Sequence, residues 1–137
     1  MSLDIFKEFR FHHIGLLVTD IDEAINSYVS LFGAENASEV YTLKSQGVKE
    51  AFIRNSDSTY LGLVSPINED SVVHRMLKKG MSYYHVAYKV DNIDSSVEKL
   101  EALHYKPLEQ FRSEAFNNLC VFLYTPEGHL VELIQDK

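Results

Sequence analysis

With 137 residues, 45% of them apolar and 24% charged, the chain has the length and make-up of one globular domain and leaves no room for two independent large ones. Its 20 acidic and 13 basic residues leave a formal net charge of −7, which opposes non-specific binding to nucleic acid and to an anionic membrane surface. No apolar run approaches the roughly 18 residues of a membrane span and the N-terminus lacks a signal-peptide pattern, so a cytoplasmic setting is expected, with the single cysteine, Cys120, as a buried and inert thiol.

The first predicted element is the β-rich run Phe11 to Val18, which leads into apolar residues at helical spacing: Ile21, Ala24, Ile25, Tyr28, Leu31 and Phe32. Asp20 is placed to cap that helix with Glu23 three residues on, and Gly33 stands where a left-handed terminator belongs. Sliding the chain against itself by 72 residues aligns HIGLLVTDIDEAINSYVSLFG with HVAYKVDNIDSSVEKLEALHY. His13 falls on His85, Val18 on Val90, Ile21 on Ile93, Asp22 on Asp94 and Leu31 on Leu103, while Asn92 takes the capping place of Asp20. The second helix is expected to bury Ile93, Val97, Leu100 and Leu103.

After each helix come three β-prone runs, near 37–43, 47–54 and 59–65 in the first half and near 106–111, 117–124 and 129–134 in the second. Each half therefore reads βαβββ. The expected division is one domain over 1–137, with module 1 at about 9–65, a connector at 66–82 carrying a helix from Asn68 to Lys79, and module 2 at about 83–135.

Alternation along the first strand places Phe11, His13, Gly15 and Leu17 on one face and His12, Ile14, Leu16 and Val18 on the other, the aliphatic one expected to meet the helix. In the second half Tyr83, His85, Ala87 and Lys89 share a face opposite Tyr84, Val86, Tyr88 and Val90. Each repeated histidine thus points away from its helix. The closing strand HLVELI carries Glu132 amid apolar residues, where a carboxylate must be exposed, hydrogen-bonded, paired with a cation or bound to a metal. Two imidazoles and one carboxylate with open positions suit a catalytic divalent ion, which makes His13, His85 and Glu132 the predicted metal ligands. His12, His74, His104 and His129 are expected to have no catalytic role.

HHIGLLVTDIDEAINSYVSLFG, YHVAYKVDNIDSSVEKL and the closing GHLVELIQ resemble the signature regions of vicinal-oxygen-chelate proteins, the superfamily of glyoxalases, bleomycin resistance proteins and dioxygenases. The QGV turn and the connector SPINEDSVVHRML look most like methylmalonyl-CoA epimerases and small bacterial glyoxalase-I-like proteins. The resemblance implies an α+β fold of two tandem βαβββ modules in a cup-shaped mixed sheet, helices outside and a metal within. Its four family ligand positions fall on His13, Gly62, His85 and Glu132, so Gly62 stands where a fourth ligand would be. YLGLV and LVELI support the same placement from within the chain, and a glutamine or glutamate at 62 is expected to tighten metal binding. The resemblance also places an acid two residues before the glycine of the QGV turn, where this chain has Ser45.

The activity so implied is that of a divalent-metal-dependent isomerase or lyase (Zn, Ni, Co, Mn or Fe) acting through an enolate-like intermediate on a small substrate with adjacent oxygens. Glu132 and Glu50 are the candidate bases, and Lys89, on the face of His85, is a candidate contact for an anionic substrate. An iron(II) extradiol dioxygenase and a non-catalytic small-molecule binder of the same fold are the alternatives. A homodimer is expected, with a small-molecule substrate as the other partner.

Overall fold

The computed structural model describes residues 8–136. In chain order the elements are β1 (Arg10–Leu17), α1 (Ile21–Phe32), β2 (Tyr41–Leu43), β3 (Val48–Arg54), β4 (Tyr60–Pro66), α2 (Val72–Lys78), β5 (Tyr83–Val90), α3 (Ile93–Ala102), β6 (Lys106–Pro107), β7 (Phe111–Ser113), β8 (Asn118–Tyr124) and β9 (Leu130–Gln135). The chain forms two compact units, residues 13–84 and residues 85–136 with 8–12. Each carries the predicted strand, helix and trailing strands, and within each the sheet is mixed.

In the first unit β1 lies parallel to β4, β4 antiparallel to β3, and β3 antiparallel to β2. Helix α1 begins where the Asp20 carboxylate accepts the Glu23 backbone N–H at 3.0 Å, and ends at Gly33, whose φ of 95° a residue with a side chain rarely adopts. Its apolar stripe packs Ile21, Ala24, Ile25, Tyr28 and Phe32 against Leu16, Val18, Ala51, Ile53, Leu61 and Leu63. Leu31, expected in that stripe, is 71% exposed, because it stands about 100° around the helix from Phe32, beyond the contact face. The opposite sheet face is covered at one end by Val73, Met76 and Leu77 of α2, on Leu17, Leu43, Val48 and Val64.

In the second unit β5 is parallel to β9, β9 antiparallel to β8, and both β6 and β7 pair antiparallel with β8. The Asn92 side chain accepts the Ser95 N–H at 2.9 Å, and α3 buries Ile93 and Leu100, with Val97 packed beside them, against Val90, Val121, Leu123 and Leu133. Leu103, expected to join them, is 58% exposed. The helix has ended at Ala102, and the left-handed His104 (φ 72°) turns the chain away while Tyr105 N–H closes on Leu100 O.

Three element boundaries depart from expectation. The run near 37–43 narrows to β2, Ala37 keeping only an isolated bridge to Ile53, and the run near 106–111 splits into β6 and β7. The connector helix starts at Val72 and not Asn68, because the Asn68 side chain accepts the Asp70 N–H in a turn of its own and Ser71 supplies the cap.

Candidate metal centre

His13 is fully buried on β1, on the sheet face turned from α1. Phe52, on β3, meets its imidazole edge to face with centroids 5.1 Å apart, and Tyr60 meets Phe52 in turn at 6.3 Å. Strand pairing sets Tyr60 beside His13, Phe52 beside Gly62 and Gly62 beside Gly15, so the β4 position next to Phe52 carries no side chain. The aromatic edge and the bare glycine backbone leave that ring little freedom.

Two residues before Phe52, and so on the same face of β3, lies Glu50, which is 5% exposed and pairs across the ladder with Val64 and Tyr41. A strand acid is ordinarily solvated, and a carboxylate so enclosed is costly unless it serves a partner or a reaction. Ser45 lies in the short turn Lys44–Gln46 and is exposed, so an acid there would face solvent.

The second unit repeats the arrangement. His85 is 1% exposed on β5 and meets Phe122 of β8 edge to face at 5.1 Å, while Phe111 stacks on Phe122 at 5.6 Å. Phe122 pairs with Glu132 on β9, and Glu132 with Ala87 on β5, whose small side chain leaves room for the acid. Glu132 is 4% exposed, with Oε1 3.2 Å from His85 Nε2. Of the options open to an acid in an apolar strand, the structure therefore shows burial beside an imidazole. Beside them Ala87, Cys120 and Ile134 pack under Phe111 and Phe116.

Phe52 and Phe122 are 70 positions apart, as are Gly62 and Glu132, and Glu50 and Cys120. The histidines are 72 apart, so the intervening turns differ by two residues. The first unit thus sets a buried His13 against Phe52 with a buried carboxylate at Glu50, and the second a buried His85 against Phe122 with one at Glu132. Sequence reading missed the two phenylalanines; extending the repeat from the closing strand to the one before it would have paired them.

Lys89 is 39% exposed at its side chain and stands 3.9 Å from Asp136, which also binds Arg10 at 3.1 Å. His12 is buried against Phe116 with centroids 5.3 Å apart, and burial, reinforced by the charge of Lys89, lowers its pKa to about 4, so it is neutral near pH 7. Phe11, expected to share the face of His13, instead meets Tyr88, which packs against the core beneath α3. His74 is half-buried, and His104 and His129 are exposed. Among the described residues no helix is long and apolar enough to cross a membrane.

The chain is similar to known proteins over nearly its whole length. The chain is 31% identical over 98% of its length to mouse mitochondrial methylmalonyl-CoA epimerase, covering 77% of that protein, and 30% identical over 92% of its length to the human enzyme, covering 73% of it. Among solved structures it superposes on a Streptomyces coelicolor methylmalonyl-CoA epimerase variant in complex with 2-nitronate-propionyl-CoA, with a TM-score of 0.81 at 27% identity, over 94% of this chain and 95% of that one. A methylmalonyl-CoA epimerase in complex with methylmalonyl-CoA and NH4+ matches with the same TM-score, identity and coverage. These relatives are isomerases of the superfamily that the signature regions resemble, and the superfamily profile itself matches residues 12–135. The chain belongs to the glyoxalase/bleomycin resistance protein/dioxygenase superfamily, as a relative of its methylmalonyl-CoA epimerases.

Proposed function

We propose that the protein is a divalent-metal-dependent epimerase that moves a proton at the carbon next to a thioester carbonyl, with methylmalonyl-CoA or a close 2-substituted acyl-CoA as substrate. The observation that carries this is the repeat of a buried histidine, His13 in one unit and His85 in the other, with the buried carboxylate of Glu132 3.2 Å from His85. Two imidazoles and a carboxylate fit a catalytic zinc, cobalt, nickel, manganese or iron(II) ion. When bound, such an ion supplies Lewis-acid stabilisation to two adjacent substrate oxygens.

The proton itself is work for the chain's acids. Epimerisation requires that a proton leave one face of the carbon and another return to the opposite face, and so asks for two groups. Glu50, buried on the face of β3 that carries Phe52, is assigned as one base, and Glu132 as the other. Phe52 covers the His13 imidazole, and Phe122, stacked on Phe111, covers that of His85. Lys89 would meet an anionic part of the substrate by exchanging Asp136 for it. In this proposal the two modules act as one domain, and the protein is a cytoplasmic homodimer.

Incubating metal-loaded protein with methylmalonyl-CoA in deuterated water tests the reading: deuterium is expected at C2, and Glu50→Gln is expected to suppress it. Two histidines and one carboxylate, with glycine at position 62, also match the ligand set of a non-haem iron oxygenase. Bound iron, oxygen uptake on catechols and no deuterium label would decide for that chemistry.

A further inference from the structure

Phe52, Gly62 and Gly15 form a row across β3, β4 and β1, and the His13 ring leans along the sheet over that row. A Cβ placed on Gly62 would stand 2.9 Å from His13 Cδ2, 3.4 Å from its Nε2 and 3.3 Å from Phe52 Cε1. Carbon atoms pack at about 3.5–4.0 Å, so the ring would have to move. It has no flexible end to swing aside, and Phe52 is near the same point. At the equivalent position of the other unit, Glu132 carries a side chain, and His85 meets its carboxylate.

We infer that Gly62 is the seat of the His13 imidazole, a positioning residue whose missing side chain sets where the first histidine presents its nitrogen. This inference concerns the same site as the metal proposal, but the placement of the ring does not depend on a metal being bound. It reverses the expectation drawn from sequence for position 62. A glutamine or glutamate there would bring its own Cβ against His13 before its head group reached an ion, exchanging one donor for another and not adding one.

The metal-free protein provides the first test. With 13C-labelled histidine, the His13 ring resonance, assigned by its disappearance in His13→Ala, is expected to shift in Gly62→Ala because the ring leaves the face of Phe52, while the His85 resonance stays. An unmoved His13 resonance in a folded variant overturns the inference. If Gly62→Ala fails to fold, Gly62→Ala with Phe52→Leu is compared with Phe52→Leu alone: the added Cβ is expected to shift the His13 resonance between the two, and an unmoved resonance overturns the inference. Cobalt(II) titration is the second test: Gly62→Ala is expected to weaken binding about 10- to 100-fold, the range typical of losing an outer partner of a metal ligand. In a His13→Ala background the same substitution is expected to change affinity no further, and an equal loss there would overturn the inference in favour of general damage to β4. A shifted His13 resonance in a protein that binds no cobalt would sustain the seat and defeat the metal proposal.

Discussion

Phe122 meets the His85 imidazole edge to face, with ring centroids 5.1 Å apart and 73° between the planes, and Phe52 holds His13 at 5.1 Å and 72°. Duplication has preserved the brace along with the histidine. Phe122→Ala is expected to cost about 3–5 kcal/mol of stability by opening a cavity in a buried layer. Phe122→Leu is expected to cost clearly less. Denaturant unfolding measures both, and metal titration should show weaker binding in the alanine variant, because a loosened His85 no longer presents its nitrogen in one place.

Glu50→Gln removes a buried carboxylate but little volume. If Glu50 is a proton-transfer group, exchange at the substrate α-carbon should slow about 10²- to 10⁴-fold, with metal affinity held near wild type. Ser45→Ala, in an exposed turn, should leave both unchanged. Deuterium incorporation at saturating metal, followed by mass spectrometry, reads the two variants side by side.

The caps of the two repeated helices should behave alike. Asp20 Oδ1 accepts from Glu23 N at 3.0 Å and Asn92 Oδ1 from Ser95 N at 2.9 Å, so Asp20→Ala and Asn92→Ala should each destabilise the fold by about 1 kcal/mol without altering metal affinity. Thermal unfolding of the single and double variants checks this, with additive losses expected for two distant caps.

Much of the fold was legible because the chain states it twice. His13 with His85, Ile21 with Ile93, and Asp20 with Asn92 mark two strands, two helices and their starts in the sequence itself. What misled were positions that packing decides. Leu31 and Leu103 look like core residues in the repeat, yet one stands beyond the helix contact face and the other beyond the helix end. Strict alternation placed Phe11 with His13, and residue type alone did not show that Phe11 packs on Tyr88. Glu50 was visible as an acid but not as a buried one. Its neighbours Lys49 and Ala51 do not distinguish a solvated face from an enclosed one, and only the pairing of β3 with β4 does. Gly62 was legible as a missing ligand, whereas the ring lying against it depended on a distance.

The measurement that bears most directly on the central claim is calorimetric titration of the metal-stripped protein with zinc, cobalt(II) and manganese(II), in wild type and in His13→Ala, His85→Ala and Glu132→Ala. Wild type should bind one ion per chain, and each substitution should weaken binding by more than the roughly 10- to 100-fold lost when only an outer partner is removed. Affinity unchanged in all three variants, or a wild type that binds none of these ions, would contradict the account.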